Sequence, residues 1–255
     1  MAMATSPEMI NTLPQEPHGW RWFDPVLIGL LWIVMLIGGA VVLVGGIGFT
    51  QTGFNPDSLL TSLPFNIGVI AIQGLTLLLA VQAGLVWRRK RWSELGLTAI
   101  SGRWLLITAG VAVGLRLLVI PVSLLYQIID PNFENPQMAF LLPGGQISIV
   151  GMIAMFVLTG IVIPFAEEAF FRGVIYRYLR RWGVVVATLV SALVFAVAHL
   201  NLLVGLVAFF LGIGTAVVYE RSKSLTAAFV VHAVFNTLAV LLLYIAVLAG
   251  VELPG

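Results

Sequence analysis

Seven uninterrupted apolar stretches, most of them near the length of a bilayer crossing, leave this chain one kind of architecture. They run Pro25 to Gly48, Phe65 to Trp87, Trp104 to Ile129, Ile147 to about Phe171, Val184 to His199, Leu203 to Tyr219 and Leu225 to Val251. A hydrocarbon core about 30 Å thick takes roughly 20 apolar residues per helical crossing. Lipid offers no partner for an open backbone N–H or C=O, so a spanning segment closes its hydrogen bonds either along a helix or around a barrel. Barrel strands alternate apolar and polar residues; these stretches are continuously apolar. The expected fold is therefore all-α, a polytopic transmembrane helix bundle of about seven spans and up to eight helices.

Composition excludes the soluble alternative. Hydrophobic residues make up 60% of the chain and charged residues 9%, with a mean hydropathy of +1.06, whereas about a quarter of a soluble domain is charged. Residues 1–24 read as a polar N-terminal tail, because no basic region precedes a short apolar run as in a secretory signal. Residues 25–146 read as N-terminal transmembrane helices and 147–251 as a C-terminal transmembrane core. Cysteine is absent, which removes disulfides, thiolate nucleophiles and thiolate metal sites. There is no phosphate-binding glycine loop of either common kind, so neither nucleotide nor nucleic acid is expected as a partner.

Basic residues set the orientation, since cytoplasmic loops carry their excess. Of the 13 lysines and arginines, all but Arg116 fall on one side of a seven-span map: Arg21, Arg88, Arg89, Lys90, Arg91, Arg103, Arg172, Arg177, Arg180, Arg181, Arg221 and Lys223. The opposite loops, from Phe49 to Pro64 and from Asp130 to Gln146, carry Asp57, Asp130 and Glu134 among turn formers such as Asn55-Pro56 and Pro143-Gly144-Gly145. Trp20, Trp22, Trp87, Trp92, Trp104 and Trp182 cluster at the basic ends, as an interfacial belt does. The N-terminus is expected in the cytoplasm, and the charge pattern fits a bacterial plasma membrane. Arg116, in the middle of the third stretch just after Gly110-Val-Ala-Val-Gly114, is either a structural counter-charge reaching a polar cavity or a substrate contact.

Ionisable side chains at membrane depth are costly and mark function. Glu167 and Glu168 stand side by side in Pro164-Phe-Ala-Glu-Glu-Ala-Phe-Phe-Arg172, and His199 and His232 follow in later apolar stretches. Glu168 and Arg172 are four apart and share a helix face, so burial favours their pairing, while Glu167 points about a quarter-turn away. Phe195 lies one turn before His199, and His232 and Asn236 share the i,i+4 spacing. A carboxylate, two imidazoles and an amide suit hydrolysis of an acyl bond where no serine or cysteine nucleophile is present.

Glu167-Glu168-x-x-x-Arg172, Phe195-x-x-x-His199 and His232-x-x-x-Asn236, in that order on three apolar helices, resemble the three motifs of the CAAX protease and bacteriocin-processing family of intramembrane proteases, which includes the second CAAX prenyl protease. The likeness covers about Gly151 to Leu242; the first 145 residues carry no matching motif. The resemblance implies an intramembrane endopeptidase acting on membrane-presented peptides or proteins, in CAAX processing or in bacteriocin maturation and immunity. It implies that Glu167 and His199 activate water, that His232 and Asn236 stabilise the oxyanion, and that Glu168, Arg172 and Phe195 support them.

No cofactor is favoured. A zinc version would use His199, His232 and Glu167 as ligands with water as the fourth, but His-Glu-x-x-His is absent and the His232 helix supplies one strong ligand. The rival function is a transporter or channel whose buried Glu, His and Arg relay protons or bind a solute; a non-catalytic scaffold or immunity partner is a third.

Helix geometry raises one difficulty. A fourth helix starting near Ile147 puts Glu167 close to the cytoplasmic edge, at about 1.5 Å per residue, while His199 approaches the far face. The two meet if that helix is bent at Pro164 and runs deeper, with Phe165 to Trp182 projecting past the surface and the site opening to the cytoplasm.

Overall fold

The computed structural model describes residues 19–50, 59, 62–130, 141–142 and 148–250. Residues 1–18 of the tail, with Asp57, Glu134, Asn55-Pro56 and Pro143-Gly144-Gly145 of the acidic-side loops, lie outside the described residues. Among those described, the regular structure is entirely helical: α1 (Phe23–Thr50), α2 (Leu63–Trp87), α3 (Gly102–Ile129), α4 (Ile149–Trp182), α5 (Val184–Val197), α6 (Leu202–Ser222) and α7 (Leu225–Leu248), with a 3-10 turn at Trp92–Leu95. Starts are marked locally. Ser101, Ser148, Asn201 and Ser224 each accept a backbone N–H of the first turn with their side-chain oxygen, satisfying a donor the helix cannot.

Six of these helices are long and apolar enough to cross a membrane. The fifth apolar stretch is not a full span: α5 has 14 residues, about 21 Å of rise, short of the roughly 30 Å needed. α4 makes the opposite departure. It runs unbroken for 34 residues, about 51 Å, and contains two π-helical turns, Leu158–Val162 and Phe171–Tyr176. Glu167 thus sits near its middle, and a short α5 returning from Gly183 reaches that level at His199. The long fourth helix removes the difficulty that a bilayer-length one creates.

The basic ends of the helices lock together on one side. Asp24 at the start of α1, fully buried, pairs with Arg88 after α2 at 2.7 Å. Trp20, at the end of the segment read as a tail, is anchored: its indole N–H donates to Gly173 O at 2.8 Å, and its own carbonyl accepts from Arg181. Glu220 of α6 collects Tyr176, Arg180 and Lys223 at 2.9, 3.0 and 2.9 Å. Leu225 N donates to Gly96 O at 2.7 Å, and Tyr219 Oη to Leu95 O at 2.9 Å. α4 continues past Gly173 to Trp182, beyond the level at which Trp20 holds it. The core lies among α2, α4, α6 and α7, whereas α1 and α5 present rows of exposed Val, Leu and Ile, a surface suited to hydrocarbon.

Candidate active site

Two adjacent carboxylates on α4 have different surroundings, because successive helical residues project about 100° apart. Glu168 turns inward. Its Oε2 lies 3.1 Å from Arg172 Nε, and both side chains are fully buried, so each offsets the desolvation of the other. The ion pair expected from spacing is present. Arg172 also donates to Gly212 O at 2.9 Å and lies over the Phe195 ring, 5.0 Å from its centroid. Gly212 permits this, since a Cβ there would meet Ala192 of α5 at 3.0 Å and Arg172 at 3.3 Å. Gly212→Val should overpack the α5–α6 contact and lower stability by about 1–3 kcal/mol, read as a reduced thermal midpoint in detergent; an unchanged midpoint would reject this packing role.

His232 of α7 closes a chain that no spacing announces. Its Nδ1 lies 2.8 Å from Glu168 Oε1, so the carboxylate divides its oxygens between Arg172 and the imidazole. A carboxylate accepts, which makes Nδ1–H the donor and fixes the ring. Its Nε2 lies 3.6 Å from Glu167 Oε2. The Phe195 ring meets His232 edge-on at 5.7 Å and His199 at 4.8 Å, so one aromatic side chain separates and orients both imidazoles.

His199 is held by the way α5 ends. Its backbone N–H bonds to Ala196 O rather than Phe195 O, leaving the Phe195 carbonyl without its usual partner. The His199 ring caps it, with Nδ1 at 2.8 Å. A carbonyl only accepts, so Nδ1 carries the proton, and in the neutral ring Nε2 keeps its lone pair. Leu200 then adopts a left-handed φ of 54°, and Asn201 caps α6, so the imidazole stands at a tight, fully bonded corner.

Asn236 is oriented by a defect in α4. Ile163 N–H bonds to Leu158 O in the first π turn, and Pro164 has no N–H to offer. The carbonyl of Thr159 therefore lacks the donors that would ordinarily take it. Asn236 Nδ2 donates to it at 3.0 Å, which assigns the amide's orientation because only its NH2 end can serve a carbonyl.

These side chains line one cavity of about 420 Å³, whose wall includes Glu167, Phe195, His199, His232, Asn236 and Arg116. Glu168 and Arg172 lie behind that wall. The arrangement thus offers a carboxylate, a neutral imidazole nitrogen, an imidazole fixed by a second carboxylate, and an amide, facing a space that admits a chain segment and water. As a zinc site it fits poorly. Glu167, His199 and His232 do not form a three-ligand group, and no other His, Asp and Glu cluster does among the described residues. Sequence reasoning missed Thr159, whose role is a backbone carbonyl without a residue-type signal, and the Glu168–His232 link, which joins distant helices. Arg116, left open between two readings, is brought to the cavity wall.

Residues 149–238 match the family described as Type II CAAX prenyl endopeptidase Rce1-like, a segment that contains Glu167, Glu168, Arg172, Phe195, His199, His232 and Asn236. No curated protein and no solved structure matches the chain.

Proposed function

We propose that this membrane protein with an Rce1-like domain is an endopeptidase whose Glu167 and His199 activate water against a peptide bond held in the helical cavity. Water gives its proton to Glu167 as its oxygen attacks the carbonyl carbon, and the lone pair of His199 Nε2 holds the second water hydrogen. The carbonyl oxygen takes up the negative charge, facing His232 Nε2–H and the remaining Asn236 N–H as donors. The C–N bond then breaks, the proton on Glu167 passes to the leaving amine, and both products are released. For this task Nε2 of His232 as well as Nδ1 must bear a hydrogen, while Glu168 remains the counter-charge of Arg172. The route uses water and side chains alone.

The observation that carries this reading is the convergence of Glu167, His199, His232 and Asn236, from α4, α5 and α7, on one cavity. The family's description supplies the substrate class, a prenylated CAAX-type carboxyl-terminal peptide presented at the membrane. The clustering of basic residues at one end of the bundle supports an N-terminus on the cytoplasmic side, while the cavity lining reaches Val69, Ile70 and Leu141 toward the opposite ends of the helices. The test is purified protein in detergent given a fluorescent S-farnesyl peptide ending Cys-Val-Ile-Met and its unprenylated form. Cleavage of the prenylated peptide with a lower KM is expected; cleavage of neither by folded protein would reject the reading.

The π turn supplies a second test. Pro164→Ala restores an N–H that competes with Asn236 for the Thr159–Gly160 carbonyls, so the amide loses its fixed orientation. kcat should fall about tenfold or more with KM little changed; because Pro164 is buried, loss of its ring carbons costs about 1–2 kcal/mol of stability, so kcat is compared at equal folded fraction. An unaltered kcat would remove Thr159 and Pro164 from the account.

A further inference from the structure

Among the described residues, Arg116 is the one charged side chain on the cavity wall that the proposed chemistry does not use. It reaches across from α3 to α7, where a terminal guanidinium nitrogen donates to Phe235 O at 2.6 Å and the group lies 3.6 Å from the centre of the Phe235 ring. Those contacts hold the side chain in place but bring it no negative charge. Among the described residues no Asp or Glu pairs with it, and its Nε is buried without a hydrogen-bond partner. A second donor in the same wall, the indole N–H of Trp32, is also buried and unpartnered. Unpaired buried donors are costly and uncommon in folded proteins. Both side chains belong to the cavity wall, and a guanidinium without a counter-charge there marks a place where an acceptor-rich group binds.

We propose that Arg116 binds a carboxylate of the substrate and thereby sets which peptides the chamber takes. The inference rests on the endopeptidase reading for its substrate but concerns a separate wall of the cavity. Phe235 directly precedes Asn236 on α7, so the guanidinium is anchored next to the proposed oxyanion donor. Arg116 and Asn236 line the same cavity, so a chain with its scissile carbonyl at Asn236 shares that space with the guanidinium. A guanidinium meets a carboxylate with two parallel N–H···O bonds, which an amide cannot reproduce. The carboxylate is either the free chain terminus or an acidic side chain near it.

The experiment is binding of fluorescent S-farnesyl peptides to purified protein carrying Glu167→Gln, which keeps the chamber and stops turnover. Three probes are compared: one ending Cys-Val-Ile-Met with a free carboxylate, the same peptide amidated, and an amidated peptide with Glu in the last position. The free-acid peptide is expected to bind about 10- to 100-fold tighter than its amide. Adding Arg116→Gln should bring the acid peptide down to the affinity of the amide. Recovery of tight binding by the Glu-ended amide assigns the carboxylate to a side chain; its absence assigns it to the chain terminus. Equal binding of acid and amide at intact Arg116 overturns the proposal, as does an equal loss for both in the Arg116→Gln protein, which would make Arg116 a structural tie between α3 and α7. If Arg116→Gln does not fold, Arg116→Lys serves: a reduced but surviving acid preference supports the proposal, and an undiminished one rejects it. Failure of wild-type protein to cleave any of these peptides would reject the protease reading while the binding arms still decide the role of Arg116.

Discussion

Glu167→Gln leaves a folded protein that no longer cleaves peptide, with kcat reduced by about 10²- to 10⁴-fold, the span that a positioned general base contributes. The substitution is nearly isosteric and Glu167 makes no ion pair with Arg172, whose partner is Glu168. Among the described residues its ion-pair contact is with His232 Nε2, at 3.6 Å. Thermal midpoint and elution from size exclusion should therefore match the wild type. His199→Ala should give a similar loss, since the proposed route uses both groups at one step, and the double variant should be little worse than either single one. Cleavage at a wild-type rate by a folded Glu167→Gln protein would reject the assignment.

Arg172→Met should act on the fold before it acts on chemistry. Both members of the Glu168–Arg172 pair are fully buried, and removing one partner of such a pair typically costs about 3–5 kcal/mol because a charge is left uncompensated. That is a large share of the roughly 5–15 kcal/mol that holds a typical domain together. The loss also removes the donor to Gly212 O and the cation over Phe195, loosening α4 from α5 and α6. A steep fall in thermal midpoint or in recovery of monodisperse protein is expected. Glu168→Gln combined with Arg172→Met should be less damaging than the sum of the single variants, because no buried charge then stands alone. An Arg172→Met protein as stable as wild type would contradict a structural role for the pair.

What the sequence made legible follows the range of each signal. Apolar run length located the helices, and i,i+4 spacing located the Glu168–Arg172 pair, since both are properties of a single segment. α4 was foreshortened in the hydropathy pattern because Arg172, Arg177, Arg180 and Arg181 interrupt it. The structure neutralises Arg172 with Glu168, and Arg180 with Glu220 of α6, so the helix continues to Trp182. α5 was overextended for the complementary reason: Val184 to His199 is apolar throughout, yet the helix ends at Val197, followed by the left-handed Leu200 and the Asn201 cap. The contacts that shape the cavity, His232 with Glu168, Asn236 with the Thr159 carbonyl and Arg116 with Phe235, each join residues more than sixty positions apart. Such pairings are set by how helices pack, and no spacing within one segment encodes them.

The central claim is that water, activated in this cavity, hydrolyses a peptide bond. Mass spectrometry of an S-farnesyl peptide incubated with the purified wild-type protein in heavy-oxygen water, with and without EDTA, addresses it most directly. The account predicts one internal cut, one heavy oxygen in the newly formed carboxyl group, and the same rate with the chelator present. An intact peptide, alongside proton or solute flux through the same protein reconstituted in vesicles, would contradict it and favour a transporter.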